Sequence, residues 1–211
     1  MDLLGFNKLP VMGILRDVNP EIIDPLIETI VSSGLKTIEF ALNTPGAAAT
    51  LFRAAKISKK RLTIGAGTVL TMDSLKLALD KGASFIVMPT LIRDIVDYCV
   101  KKSIPVFPGA LTPQEIYNAW RSGATMVKVF PAKFFGPGYF KEIKGPFKEI
   151  KLLACGGVTS ENIDSFFESG ASAVAFGGSI FKKEWLERKE FSRIGEAIKE
   201  LVSKTGKKKN E

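Results

Sequence analysis

Histidine is absent from all 211 residues. That gap removes Ser-His-Asp and Cys-His catalysis and any zinc or iron centre built on imidazole. Cysteine is scarce as well. Cys99 and Cys155 are too few for a disulfide framework, and two thiolates alone make a poor metal site. Neither a resident metal nor a cofactor is expected. No apolar run approaches the ~20 residues that cross a bilayer, so no membrane partner is expected. The chain shows no leader-peptide pattern, and with so few cysteines the expectation is a reducing cytoplasm. A complete Gly-x-Gly-x-x-Gly turn after the first strand-like run is also missing. Acid–base chemistry must then fall to Glu, Asp, Lys, Tyr or water.

The chain is 45% hydrophobic and 25% charged, enough apolar material for one well-buried domain. The formal net charge is +8. Much of the excess lies in Lys56-Ile57-Ser58-Lys59-Lys60-Arg61 and in the tail Lys204-Thr205-Gly206-Lys207-Lys208-Lys209. Both read as a solvated loop and a frayed terminus. A nucleic-acid interface would interleave aromatics or carry a binding motif, and neither is present, so no nucleic-acid partner is expected. A mild positive field suits an anionic small molecule.

Eight short apolar runs recur along the chain: Val11–Arg16, Thr37–Leu42, Thr63–Gly67, Phe85–Pro89, Pro105–Ala110, Met126–Pro131, Leu152–Gly157 and Ala173–Gly178. Helical patterns separate them. Four of the helices end in a Gly-containing phrase, at Gly34, Gly82, Gly123 and Gly170, where a left-handed residue suits a helix terminus. Thr44-Pro45 and Thr112-Pro113 pair an N-cap with proline at the first helical position, and Glu115 completes a capping box with Thr112. The first helix starts at either Asn19-Pro20 or Asp24-Pro25. Eight strand–helix alternations in this length predict a single-domain α/β fold, a (β/α)8 TIM barrel over residues 1–204. The first nine residues form a short helix or cap, and residues 205–211 form a flexible basic tail. A doubly wound open sheet is the rival and would show fewer strands.

Two residues do not belong in their strands. Lys128 interrupts Met126-Val127-Lys128-Val129-Phe130-Pro131, and Glu39 interrupts Thr37-Ile38-Glu39-Phe40-Ala41-Leu42. Burying either charge is costly unless it is paired or neutralised. Alternate strand side chains face inward, and the bulkier apolar faces should meet the helices, so both residues point into the barrel. The second and sixth strands lie opposite each other, so the two groups can share a layer. A neutral lysine attacks carbonyls to form a Schiff base, with Glu39 moving protons. The alternative is a buried salt bridge with only a structural role.

The Gly-Gly turns in Cys155-Gly156-Gly157-Val158-Thr159 and Phe176-Gly177-Gly178-Ser179-Ile180 follow the seventh and eighth strands, a frequent phosphate site in this fold. Their N–H groups and the Ser179 hydroxyl can hold an anion. Thr68, Pro89 and Phe130 fall at the barrel mouth, and Arg16, at the end of the first strand, can grip a carboxylate or serve as an unliganded rim residue. Gly65, Gly67 and Gly109 either open space beside the backbone or kink narrow strands. The same scaffold also serves phosphosugar epimerases and isomerases, which need no covalent lysine, and non-catalytic phosphosugar-binding proteins.

Several segments, in order, resemble the 2-keto-3-deoxy-6-phosphogluconate (KDPG) aldolase family with its 4-hydroxy-2-oxoglutarate (KHG) and 6-phosphogalactonate relatives. They are Leu9-Pro10-Val11, Ile14-Leu15-Arg16, Ile38-Glu39, Gly65-Ala66-Gly67-Thr68-Val69, Phe107-Pro108-Gly109, Lys128-Val129-Phe130-Pro131, Gly145-Pro146-Phe147, Gly156-Gly157-Val158 and Gly177-Gly178-Ser179. The resemblance implies a metal-independent class I aldolase, a homotrimer acting on a phosphorylated keto acid. It places Lys128 at the Schiff-base position and Glu39 at the proton shuttle. Thr68, Pro89 and Phe130 match positions around the pyruvate moiety, and Gly156, Gly157, Gly178 and Ser179 match the phosphate region. Asn43 stands where many members have a substrate-carboxylate arginine, a role open to Arg16. Leu42-Asn43-Thr44-Pro45 is closer to the phosphogalactonate branch. Cys155 replaces a common threonine among the substrate-binding positions.

Overall fold

The computed structural model describes residues 1–205. Nine parallel strand segments form its centre: β1 (Val11–Leu15), β2 (Thr37–Ala41), β3 (Thr63–Gly67), β4 (Ile86–Val87), β5 (Val106–Phe107), β6 (Gly109–Ala110), β7 (Val127–Val129), β8 (Leu152–Cys155) and β9 (Ala173–Phe176). Their order is β5-β4-β3-β2-β1-β9-β8-β7-β6. The two ends of that order are consecutive in the chain and separated only by Pro108. Proline offers no N–H to a ladder. The expected fifth strand therefore breaks in two, with β5 paired to β4 and β6 to β7. The result is the anticipated α/β barrel in a single domain, with one strand split.

The termini of the elements follow local chemistry. Gly34, Gly82, Gly123 and Gly170 all have φ between 88° and 96°, the left-handed setting expected of them. Thr112 caps the helix Pro113–Arg121, accepting from the Glu115 N–H at 3.3 Å while the Glu115 carboxylate accepts from the Thr112 N–H at 2.8 Å. The first helix region starts at Asn19-Pro20 and not at Asp24-Pro25. Asn19 caps a 3₁₀ turn, Pro20–Ile22, that runs into the helix Ile23–Ser32 with Pro25 in its first turn. Thr44 is a correction. It caps no helix, because its hydroxyl donates to Asp17 at 3.0 Å, and the helix starts at Ala47 after left-handed Gly46. Strand limits also contract: Arg16, Leu42, Pro89, Pro131, Gly156 and Gly178 fall just beyond their strands.

Two apolar layers result. The larger lies between the sheet and the helices and includes Ile27, Ile38, Phe40, Val127, Phe140 and Phe166. The smaller fills the barrel interior with Met12, Phe85, Val87, Phe107, Met126 and Leu153. The helix Leu3–Lys8 plugs the end where the strands begin. Its Phe6 packs edge-on against Phe107 at 6.1 Å, and Phe107 in turn meets Phe85 at 5.8 Å. That end is thus sealed, and the chemistry is left to the other.

Among the described residues, no helix is long and apolar enough to cross a membrane. Within the basic stretch, Arg61 pairs with Glu28 and Lys56 lies over the Phe52 ring at 4.2 Å. In the tail, Thr205 ends the helix Phe191–Thr205, and Lys204 donates to the Ser160 carbonyl at 2.6 Å. Residues 206–211, which hold the remaining tail lysines, lie outside the described residues.

Phe6→Ala should lower stability by about 3–5 kcal/mol, the usual loss when a packed aromatic is truncated. Urea unfolding measures it. A loss under about 1 kcal/mol would mean the plug is not part of the cooperative core.

Candidate active site

Lys128 and Glu39 are both buried, at 7% and 2% exposure. On β7, Lys128 is flanked by Gly109 of β6 and Leu153 of β8. On β2, Glu39 is flanked by Ile14 of β1 and Gly65 of β3. The Lys128 Nζ lies 5.1 Å from the Phe130 ring centre, and the Cys155 thiol lies within its influence. Glu39 Oε2 is buried without a hydrogen-bond partner. Lys128 and Glu39 feel each other's charge but form no ion pair.

The electrostatics follow from burial. Removal from water pushes the Glu39 carboxyl above its ordinary value, and Lys128, then Arg16, pull it back only in part. Burial likewise pushes the Cys155 thiol up, against the opposing pull of Lys128. A thiol so placed stays protonated and behaves as a small polarizable neighbour.

Glycines make the room for this cluster. A Cβ on Gly67 would lie 2.5 Å from Glu39 Oε1. Gly65 is occupied in the same sense by the Phe85 ring, and Gly109 by the Pro89 carbonyl. These three glycines therefore open space for side chain and backbone in a narrow barrel. Gly109 also places Pro89 one strand away from Lys128.

The other expected residues gather at the same end. Thr68 directly follows Gly67 and is half-buried, with a left-handed φ of 57° that a β-branched residue rarely adopts. Phe130 is 39% exposed above the lysine. Arg16 is exposed just past β1, makes no ion pair among the described residues, and reaches Glu39 and Cys155 through its field. Asn43 is exposed in the loop after β2 and is not brought into hydrogen-bonding contact with the other candidates.

The two Gly-Gly turns differ. Gly156 and Gly157 have φ of 98° and 78°, and a Cβ on Gly157 would meet Lys133 at 2.5 Å, so the fold itself requires glycine there. Gly178 has no positive φ, and a Cβ added to it would find no atom within 4 Å, so nothing in the protein demands glycine. Ser179 is half-buried and donates to the Val158 carbonyl at 2.7 Å, tying the two turns together.

A cavity of about 440 Å³ opens beside this mouth. It contains the expected Arg16 and Gly178 but does not extend to the Lys128 amine. Sequence reasoning missed Phe181, Lys183, Leu186 and Lys189, which also line it. No local signal in the sequence marks them, because the wall is assembled from separate segments of the chain. No three His, Cys, Asp or Glu side chains cluster as a metal site among the described residues. What the arrangement offers is a buried amine, a buried carboxylate with a raised pKa, and anion-accepting groups at the rim.

The sequence profile of the KDPG and KHG aldolases matches residues 5–197. The 2-dehydro-3-deoxy-phosphogluconate aldolase of Haemophilus influenzae is 31% identical over 198 residues, 93% of this chain and 92% of its own. The 2-dehydro-3-deoxy-6-phosphogalactonate aldolase of Escherichia coli is 29% identical over 177 residues, 83% of this chain and 86% of its own. A solved KDPG aldolase from Legionella pneumophila, with pyruvate captured at low pH as a covalent carbinolamine, is similar with a TM-score of 0.86 at 27% identity, covering 93% of this chain and 95% of that one. The chain therefore belongs to the KDPG and KHG aldolase family.

Proposed function

We propose that this chain is a class I aldolase that reversibly cleaves 2-keto-3-deoxy-6-phosphogluconate to pyruvate and D-glyceraldehyde 3-phosphate, with Lys128 as the Schiff-base residue. The observation that carries this reading is the buried Lys128 amine in the field of the buried Glu39 carboxyl. The covalent carbinolamine in the Legionella relative supports the same chemistry.

The neutral amine adds to the C2 ketone, and loss of water gives a protonated imine. Glu39, directly or through water, takes the C4 hydroxyl proton. The C3–C4 electron pair flows into the iminium, releasing the aldehyde and leaving an enamine. Protonation at C3 and hydrolysis of the imine free pyruvate and regenerate Lys128. In this reading Thr68, Pro89, Phe130 and Cys155 surround the pyruvate moiety, and Arg16 grips its carboxylate in place of the arginine absent at Asn43. The Gly156-Gly157 and Gly178-Ser179 turns face the phosphate, and the open space before Gly178 supports that role. The 6-phosphogalactonate epimer is the second candidate, favoured by Asn43 and its neighbours, and 4-hydroxy-2-oxoglutarate is the third. We further place the enzyme in the cytoplasm, consistent with its two free buried cysteines, and as a homotrimer, for which exposed Phe134 and Phe135 offer an apolar surface. An epimerase or isomerase on this scaffold would form no covalent adduct.

Lys128→Ala should abolish cleavage, and borohydride with pyruvate should no longer trap an adduct by intact-mass measurement. An adduct that survives the substitution moves the nucleophile elsewhere. Glu39→Gln should slow cleavage by roughly 10²–10⁴-fold, the range for lost acid–base catalysis. The working base is the carboxylate, so activity is lost as pH falls through its pKa. The acid limb of kcat/KM should therefore lie above the ordinary 4.5, in the direction burial dictates. A limb at 4.5 or below in kcat/KM assigns the shuttle to another group.

A further inference from the structure

We propose that Lys189 is a specificity-determining residue that favours phosphorylated keto acids over shorter unphosphorylated ones. This rests on the aldolase reading above. Lys189 lies on the wall of the 440 Å³ cavity together with Ile14, Arg16, Gly177, Gly178 and Lys183. Ile14 packs against the interior cluster and Arg16 reaches Glu39 electrostatically, so this cavity adjoins the reacting centre. Its charged lining is Arg16, Lys183 and Lys189 against Asp17 and Glu187. Lys183 is paired with Glu187 at 3.7 Å, and Asp17 accepts a hydrogen bond from Thr44. Lys189 forms no ion pair or side-chain hydrogen bond among the described residues. Its ammonium is thus available to an anion.

The backbone adds a second reason. The short helix Lys183–Glu187 closes with the Lys189 N–H donating to the Leu186 carbonyl at 3.2 Å and the Glu190 N–H to the Trp185 carbonyl at 2.8 Å. Lys189 is the left-handed residue of that closure, with φ 55°. Glycine fits this position without strain, and four other helix ends of this chain use it. Ser103, Lys59 and Lys60 are also left-handed and not glycine, so the conformation alone carries nothing, even for a lysine. At Lys189 the strained residue is a cation, and it lines the same cavity as Gly178, the glycine that no contact or dihedral requires. An open backbone amide and an unpaired ammonium on one cavity wall match a dianionic phosphate. The six-carbon phosphorylated substrates carry that group at their far end. The five-carbon dicarboxylate 4-hydroxy-2-oxoglutarate does not.

Lys189→Gly separates function from stability because the two move in opposite directions. The melting temperature should hold or rise by about 2–4 °C as the strain is released. The ratio of kcat/KM for 2-keto-3-deoxy-6-phosphogluconate over 4-hydroxy-2-oxoglutarate should fall about tenfold, the scale of one charge-assisted contact. Inhibition by inorganic phosphate should weaken alongside it, and Lys189→Arg should restore both. An unchanged ratio and unchanged phosphate inhibition in a folded Lys189→Gly protein would overturn the proposal. Gly178→Ala isolates the underlying reading, since it puts a methyl group beside the amide and that Cβ meets no atom of the fold within 4 Å. If it leaves the KM for the phosphorylated substrate unchanged, the phosphate does not bind at this turn. If it raises that KM while Lys189→Gly does not, only the role of Lys189 fails.

Discussion

A carboxyl group buried with one oxygen unmatched, facing a buried amine across a barrel, is the constraint around which the rest is arranged. Both groups are withdrawn from bulk solvent, and they form no ion pair with each other. Such a pair is weak evidence for stability, because desolvation offsets most of the Coulombic attraction. Glu39 shows the sign directly. A carboxyl that holds its proton more tightly when folded favours the fold below the ordinary carboxylate value, and that contribution is lost as pH rises through the raised one. At neutral pH the residue therefore works against folding, as expected of a group retained for chemistry.

The barrel accommodates this strain by dividing its interior. Toward the strand starts it is oily and closed, with Phe6, Phe85 and Phe107 stacked edge to edge and Met12 and Met126 beside them. Toward the strand ends the bulk disappears: β3 contributes only Gly65 and Gly67 beside Phe85 and Glu39, and β6 begins with Gly109. The large residues below exclude water from one side, and the glycines above leave room for a carboxylate and a ligand. The split of the fifth strand at Pro108 belongs to the same arrangement, since the Pro108 carbonyl accepts from the Lys128 N–H at 2.9 Å and the Pro89 carbonyl approaches Gly109.

How much of this is legible in the sequence depends on whether the signal is local. Lys128 and Glu39 stand out because a charge in an apolar run violates a two-residue alternation, and the alternation itself gives their direction. The helix-end glycines and the Thr112 capping box are legible for the same reason, each being decided within a few residues. Thr44 misleads because its competitor, Asp17, is far away in sequence, and a distant hydrogen bond overrides the local cap. The strand-five break is half visible: Pro108 is in plain view, but which neighbour each half joins depends on the whole barrel. Lys183 and Lys189 are invisible because cavity walls are assembled from loops far apart in the chain. The two Gly-Gly turns look alike as text, and only the folded backbone separates the pair whose dihedrals require glycine from the one that faces open space.

The opposition of Lys128 and Glu39 also bears on the order of the proposed chemical steps. Lys128 and Glu39 lie within one another's field, so charge at one position bears on the other. A carboxylate beside the amine hinders the first step, because an anion favours the ammonium over the nucleophile. Burial, by raising the Glu39 pKa, lessens that hindrance. Once the imine forms, positive charge at position 128 is fixed in place. The iminium carries a positive charge that cannot be surrendered until hydrolysis, and positive charge at position 128 is already the largest influence lowering the Glu39 pKa. The same cation that draws electrons from the C3–C4 bond therefore drives Glu39 toward carboxylate when a base is needed at the C4 hydroxyl. Burial raises the Glu39 pKa, and in the proposed intermediate the substrate's own covalent charge opposes that rise.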